Sequence, residues 1–385
     1  MGESKLKRSR AEDTLLSCAG VQTPSGKFQV RWGSSSAATP MGQLAYFIEF
    51  LGLTGLWSSW TETCPLTYAS PNAPSKADVL GTWMLSVLSG HKRYSHVTAI
   101  RCDGVNPGLL GMNKVISEYA LRRALVAIPE AEGVAWLDRH LSESVVPLLD
   151  TPWILDIDTT VKPLYGKQEG AVVSYNPKKP GRPSHSYHTY LMAGLRLVLG
   201  VEVKAGNKHT GSHSLPGLLH VLDDLGLGQL YRDRADCENT FDELKNQWGW
   251  GGFTTHDLHR CQLSARAVAL IYNWWSLFVR LASPETRREA ITSRPWLMSS
   301  VGRRTEHAGQ TTLTLTGLHA HFDKARQVLM QVSARLQAWA KEIAEQLRVG
   351  TVWRCVCDHL KLTVAGIGPP KTLLLGDKSP ANCGF

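Results

Sequence analysis

The chain has 385 residues, enough for one large domain or two ordinary ones. Its hydrophobic content of 43% fits a soluble globular protein rather than a disordered or membrane one. A formal net charge of +9 points to a polyanionic partner, nucleic acid first among them.

The most apolar stretch, Leu44 to Leu56, is broken by Glu49 and too short to span a bilayer, so no membrane role is expected. Eight cysteines are scattered without a CxxC pair and no secretory leader is visible, which predicts reduced thiols in a cytoplasmic protein.

Residues 1–40 are polar, with the basic cluster Lys5-Leu6-Lys7-Arg8-Ser9-Arg10 and the run Ser34-Ser35-Ser36. They predict a flexible basic arm in which Lys27 to Trp32 carries a weak strand alternation. Residues 41–150 are helical in pattern, with apolar segments at Ala45 to Leu53, Lys76 to Leu88, Lys114 to Ile128 and Val134 to Leu149. They predict an α-helical N-terminal domain.

At Thr151 the pattern becomes β-prone. Trp153 to Asp158 alternates apolar residues with acids, Ala171 to Tyr175 is a second run, and Tyr187 to Val203 holds one long strand. The three predict an antiparallel meander. Between the second and third lies the proline-stiffened basic loop Asn176 to Pro183, whose Lys178, Lys179 and Arg182 suit a DNA backbone as well as a plain exposed turn. Leu215 to Leu225 predicts a short helix, Arg260 to Leu281 an apolar helix with Trp274 and Trp275 in the core, and Gly317 to Val349 a long amphipathic helix. Residues 283–385 thus form a helical C-terminal region, with a loose tail after Gly366.

Leu230 to Trp250 reads LYRDRADCENTFDELKNQWGW. At about 100° per residue, with Tyr231 at zero, Arg234 falls near −60°, Glu238 near −20° and Lys245 near −40°. One narrow polar stripe thus runs beside an apolar stripe of Phe241, Leu244 and Trp248. A salt-bridged surface explains this, since Arg234 and Glu238 stand at i,i+4; so does a metal-binding acid beside phosphate-binding cations. Asp156 and Asp158 share a strand face because side chains alternate. That face is either simply solvated or one carboxylate of it holds a divalent metal. The metal would be Mg²⁺, with Mn²⁺ as its substitute, acting in phosphodiester transfer.

The combination Tyr231-x2-Arg234-x3-Glu238-x6-Lys245 resembles the Y-R-E-K signature of bacterial insertion-sequence transposases of the DDE superfamily. Leu155 to Thr160 followed by Pro163-Leu164-Tyr165-Gly166 is similar to the segment bearing their first catalytic aspartate. The resemblance implies an α/β fold with a ribonuclease H-like core over 151–282, a DNA-binding role for the helical domain 41–150, and Mg²⁺-dependent cleavage and transfer of DNA strands. It implies catalytic and metal-binding roles for Asp158, with Asp156 in reserve, and for Glu238. Tyr231, Arg234 and Lys245 would hold the DNA end near the cut. The implied partners are double-stranded DNA, both terminal inverted repeats and target, with a homodimer compatible, in a bacterial, nucleoid-associated setting.

The family also needs a second aspartate at the end of a fourth strand. The interval from Asp158 to Glu238 holds only two further strands and one short helix, and Asp223 and Asp224 read as a solvated helix end. The expectation is therefore an internally deleted core near 227–230, lacking the fourth and fifth strands. The strand of Asp158 is then left at an edge and catalysis is impaired. A non-catalytic protein competing for transposon ends is the alternative, and a two-carboxylate Mg²⁺ nuclease a third reading. Histidine pairs at 209 and 213 and at 256 and 259 lack cysteine partners, which disfavours zinc. Trp248 and Trp250 suit either the core or stacking on an extruded base.

Overall fold

The computed structural model describes residues 18–31, 36–68, 70–149, 155–176, 179–208, 213–225, 235–250, 252–253, 255–319, 321–346 and 350–365. Part of the expected arm is ordered as a hairpin, β1 (Cys18–Thr23) and β2 (Gly26–Arg31), with Thr23 paired to Gly26. Polar composition hid this turn. Pro24-Ser25 fits a two-residue loop, and Gly26 takes a φ of 120° that only glycine adopts easily.

The helices follow: α1 (Leu44–Leu53), α2 (Leu56–Glu62), α3 (Lys76–Leu88), the short α4 (Asn106–Leu109), α5 (Glu118–Ala127) and α6 (Glu130–Val145). A 3-10 segment, Tyr94–Cys102, lies between α3 and α4. Ser75 opens α3 with a capping box: its hydroxyl accepts from the Asp78 amide at 3.0 Å, and Asp78 accepts from the Ser75 amide at 3.2 Å. The other oxygen of Asp78 accepts the amides of Asn113 and Lys114 at 2.7 and 3.1 Å, so this buried carboxylate joins α3 to the loop before α5.

The main sheet contains β4 (Leu155–Pro163), β5 (Val172–Val173), β6 (Pro183–Met192) and β7 (Leu197–Ala205), all antiparallel. β6 lies between β4 and β7, and among the described residues β4 pairs with β6 alone. The meander holds in order, with two corrections. Tyr187 to Val203 is two strands, because Ala193 to Arg196 forms a turn closed by the Arg196 amide on the Ala193 carbonyl at 3.1 Å, with Arg196 at φ 53°. β-Formers on both sides of Gly194 disguise that turn. Ala171 to Tyr175 contributes only two paired residues; Val173 and Tyr175 stay exposed, so no core side chain holds the run in the sheet.

After the sheet come α7 (Leu215–Leu225), α8 (Ala235–Gln247), α9 (Leu258–Ala282) and α10 (Ala290–Leu297). Then come β8 (Gly302–His307), β9 (Gln310–Leu315), α11 (Phe322–Gln346) and α12 (Val352–Ala365). The β8–β9 hairpin corrects the purely helical expectation for this region. Ala308 and Gly309 both take positive φ, the requirement of a type I′ turn, and the hairpin adds β3 (Ala38–Thr39) at its edge.

Helix α9 is buried along most of its length and packs against β7, α6, α1, α3 and α11. Trp274 and Trp275 belong to the core as expected. Trp274 meets Trp60 edge-on at 5.4 Å while Trp60 stacks on Trp136 at 5.7 Å. The indole N–H groups of Trp274 and Trp275 donate to the hydroxyls of Ser144 and Ser293 at 3.0 and 2.9 Å. One hydrophobic cluster runs from Met41 to Leu360. The whole is a mixed α/β protein with several antiparallel sheets, and no described helix is long and apolar enough to cross a membrane.

Candidate nucleic-acid interface

Strand β4 carries Asp156, Asp158, Thr160 and Lys162 on one face, opposite Leu191, Thr189, Tyr187 and His185 of β6. The four β4 side chains are half-buried. Helix α8 packs against β4, and Tyr187 meets Trp250, just beyond α8, at a ring distance of 6.4 Å. The face with the two acids is therefore the one turned toward α8. Glu238 falls within α8, but its side chain lies outside the described residues, as do Tyr231, Arg234, Lys178, His209 and the side chains of Asp223 and Asp224.

α8 is pinned by a residue that the helical-wheel reading passed over. Glu243 is buried; one oxygen accepts from the Trp248 indole at 3.1 Å and the Ala290 amide at 2.9 Å, and the other pairs with Arg287. Burial pushes the Glu243 carboxyl above its ordinary range, against the pull of Arg287. Lys245 is half-buried and lines a cleft of about 550 Å³.

Lys92, Arg93, Arg122 and Lys162 are the other cations of that cleft, with Tyr165 and Gln168, and no carboxylate is among the described lining residues. Arg122 lies 4.7 Å from the Tyr94 ring and is paired to Glu118 at 2.7 Å. The Lys162 ammonium is buried without a hydrogen-bond partner among the described residues and stands 5.7 Å from the Tyr187 ring. Burial depresses its pKa to about 8. The basic loop continues this surface, since Lys179 and Arg182 lie 4.8 and 4.7 Å from the Tyr165 ring, and Lys179 bonds the Tyr165 hydroxyl.

Gly252, beyond the end of α8, lines the cleft beside Lys92. A Cβ at Gly249 would lie 2.6 Å from the His91 carbonyl oxygen and one at Gly252 only 1.9 Å from that of Lys92. These glycines let the backbone of His91-Lys92 approach closely and bring Lys92 to the cleft. Trp248 and Trp250 are both buried, so neither is available to stack on an extruded base. His256 and His259 engage different backbone carbonyls, those of Lys167 and Ile128, at 2.8 and 3.0 Å. No group of three metal-ligating side chains occurs among the described residues.

Lys162 had a signal in the sequence, its period-two register with Asp156 and Asp158. Lys92, Arg93 and Arg122 had none, because only the tertiary fold brings the helical segment to the end of β4. No protein-family model matches the chain, and no match emerges among curated proteins or solved structures.

Proposed function

We propose that the chain is a DNA-binding protein of the insertion-sequence transposase type, with a ribonuclease H-like core reduced by internal deletion and impaired in strand cleavage. The observation that carries this reading is the packing of α8 on β4, with Lys245 of one and Lys162 of the other lining one cleft. Asp158 precedes Lys162 by about 13 Å of strand, at roughly 3.3 Å per residue. Glu238 precedes Lys245 by about 10 Å of helix, at 1.5 Å per residue. These lengths of strand and helix are compatible with Asp158 and Glu238 belonging to one site near the shared cleft.

The order β4–β6–β7 also fits the first three strands of such a core, with β4 at the edge that a missing fourth strand would cover. Asp158 and Glu238 are the residues that would hold Mg²⁺, which supplies activation of a water or a 3′-hydroxyl and stabilisation of the leaving oxygen. A paired-metal site needs a further acid, and the described residues offer no third ligand beside Asp156 and Asp158. Lys245, Lys179 and Arg182, with Tyr231, Arg234 and Lys178, are proposed to contact the DNA.

The test uses the full chain, Mg²⁺ and labelled duplexes from the DNA flanking its own coding sequence. Retention of the terminal duplexes without nicking is the expected result. Nicking that disappears in Glu238→Gln would restore full catalytic function to the protein and remove the impairment from the proposal. Absence of any DNA retention would overturn the DNA-binding reading itself.

A further inference from the structure

We infer that the cleft at the end of β4 is a phosphate-binding pocket, with the Lys162 ammonium at its inner end and Lys92, Arg93 and Lys245 around it. A buried ammonium costs free energy unless something compensates it, and no protein group among those described does. The Tyr187 ring beneath it offers a weak attraction without an acceptor. An acceptor bearing negative charge, entering from the open side of the cleft, would supply the partner that the described residues do not.

The remaining lining agrees. Lys92, Arg93 and Lys245 add cations from two separate segments, while Arg122 is already engaged with Glu118 and contributes less. A carboxylate ligand would satisfy one or two of these donors. A tetrahedral phosphate presents oxygens in several directions and suits donors converging from different walls.

The phosphate has two sources, a nucleic-acid backbone or a small free phosphate. The backbone is favoured by Tyr165, which lines the cleft and carries Lys179 and Arg182 against its ring, so that positive charge continues outward from the pocket. Only this choice of source rests on the proposed function; the pocket itself does not.

The experiment measures two ligands on the full chain and on two variants, Lys162→Met and Lys92→Gln. A fluorescein-labelled duplex is followed by anisotropy across a salt series, and inorganic phosphate by titration calorimetry at constant ionic strength. In each variant the duplex affinity is expected to fall about tenfold, and the slope of log affinity against log salt by about one. Phosphate binding that depends on Lys162 while duplex affinity does not would support the pocket with a small phosphate as its ligand, and would count against the DNA reading. Unchanged binding of both ligands in a natively folded Lys162→Met would overturn the pocket. Should that variant fail to fold, Lys92→Gln, at an exposed position, decides in the same way.

Discussion

Lys162 shows how one residue sets stability against binding. Its pKa is held at about 8 instead of near 10.5 by burial, a shift that corresponds to a cost of about 3 kcal/mol while it is charged. The sign follows from proton counting. Between pH 8 and 10.5 the unfolded chain holds a proton that the folded one has released, so the cost is full below pH 8 and fades as pH rises. Lys162→Met is therefore expected to raise the melting temperature at pH 7 by roughly 2–5 °C, even as it weakens anion binding.

Anion binding has the opposite pH trend. It needs the ammonium, so duplex affinity should be on the order of fivefold weaker at pH 9 than at pH 7. Around Lys162 stand His185 and Tyr187 of β6, Cys261 of α9, and the cleft cations Lys92, Arg93, Arg122 and Lys245. Burial pushes His185 down and Cys261 and Tyr187 up, away from that window. Anisotropy titrations at both pH values check the assignment: a trend that persists in Lys162→Met would assign the titration to another group.

Among the elements, α8 decides whether the two candidate acids share a site, and Glu243 is its anchor. Removing that carboxylate leaves the Trp248 indole N–H and the Ala290 amide without their acceptor in a buried setting, and leaves the Arg287 guanidinium with Glu289 as its remaining partner. Glu243→Ala is expected to cost about 3–5 kcal/mol and to loosen α8 before the core. Hydrogen exchange resolved by segment measures this, with faster exchange in 235–250 than in 258–282; equal acceleration in both would show that Glu243 stabilises the core as a whole instead.

The same element marks where sequence reading stops. Periodicity located α3, α7, α9 and α11 closely, because each carries an unbroken apolar stripe or a clear cap, as Ser75 and Asp78 show. It also located the β-run of Asp156 and Asp158. It missed the turn at Ala193 to Arg196, where one glycine amid β-formers gives no strong break, and the Ala308-Gly309 hairpin. The acid-bearing strand and helix were legible locally, through spacing. The cleft was not, since its cations come from segments far apart in the chain, and Glu243 was not, since a buried acid on a polar helix looks like a surface one.

For the whole molecule, the change of composition at Thr151 falls inside a single hydrophobic cluster. α9 lies at its centre, touching the helices before Thr151 and the sheet after it. The Trp60–Trp136–Trp274 group spans that division, and Asp138 of α6 pairs with Arg266 of α9 at 2.7 Å in the same layer. Segments that share a core lose their packing together, so helical and tryptophan signals should report one transition. Trp274→Ala would remove the ring that packs on Trp60, leave a cavity and take away the indole donor to the Ser144 hydroxyl, for a loss of about 3–5 kcal/mol. Far-ultraviolet dichroism and tryptophan fluorescence are then expected to shift down together, by roughly 5–10 °C, in thermal scans. Two transitions, with only one displaced by Trp274→Ala, would instead show that the N-terminal helices and the sheet unfold as independent units despite the continuous core.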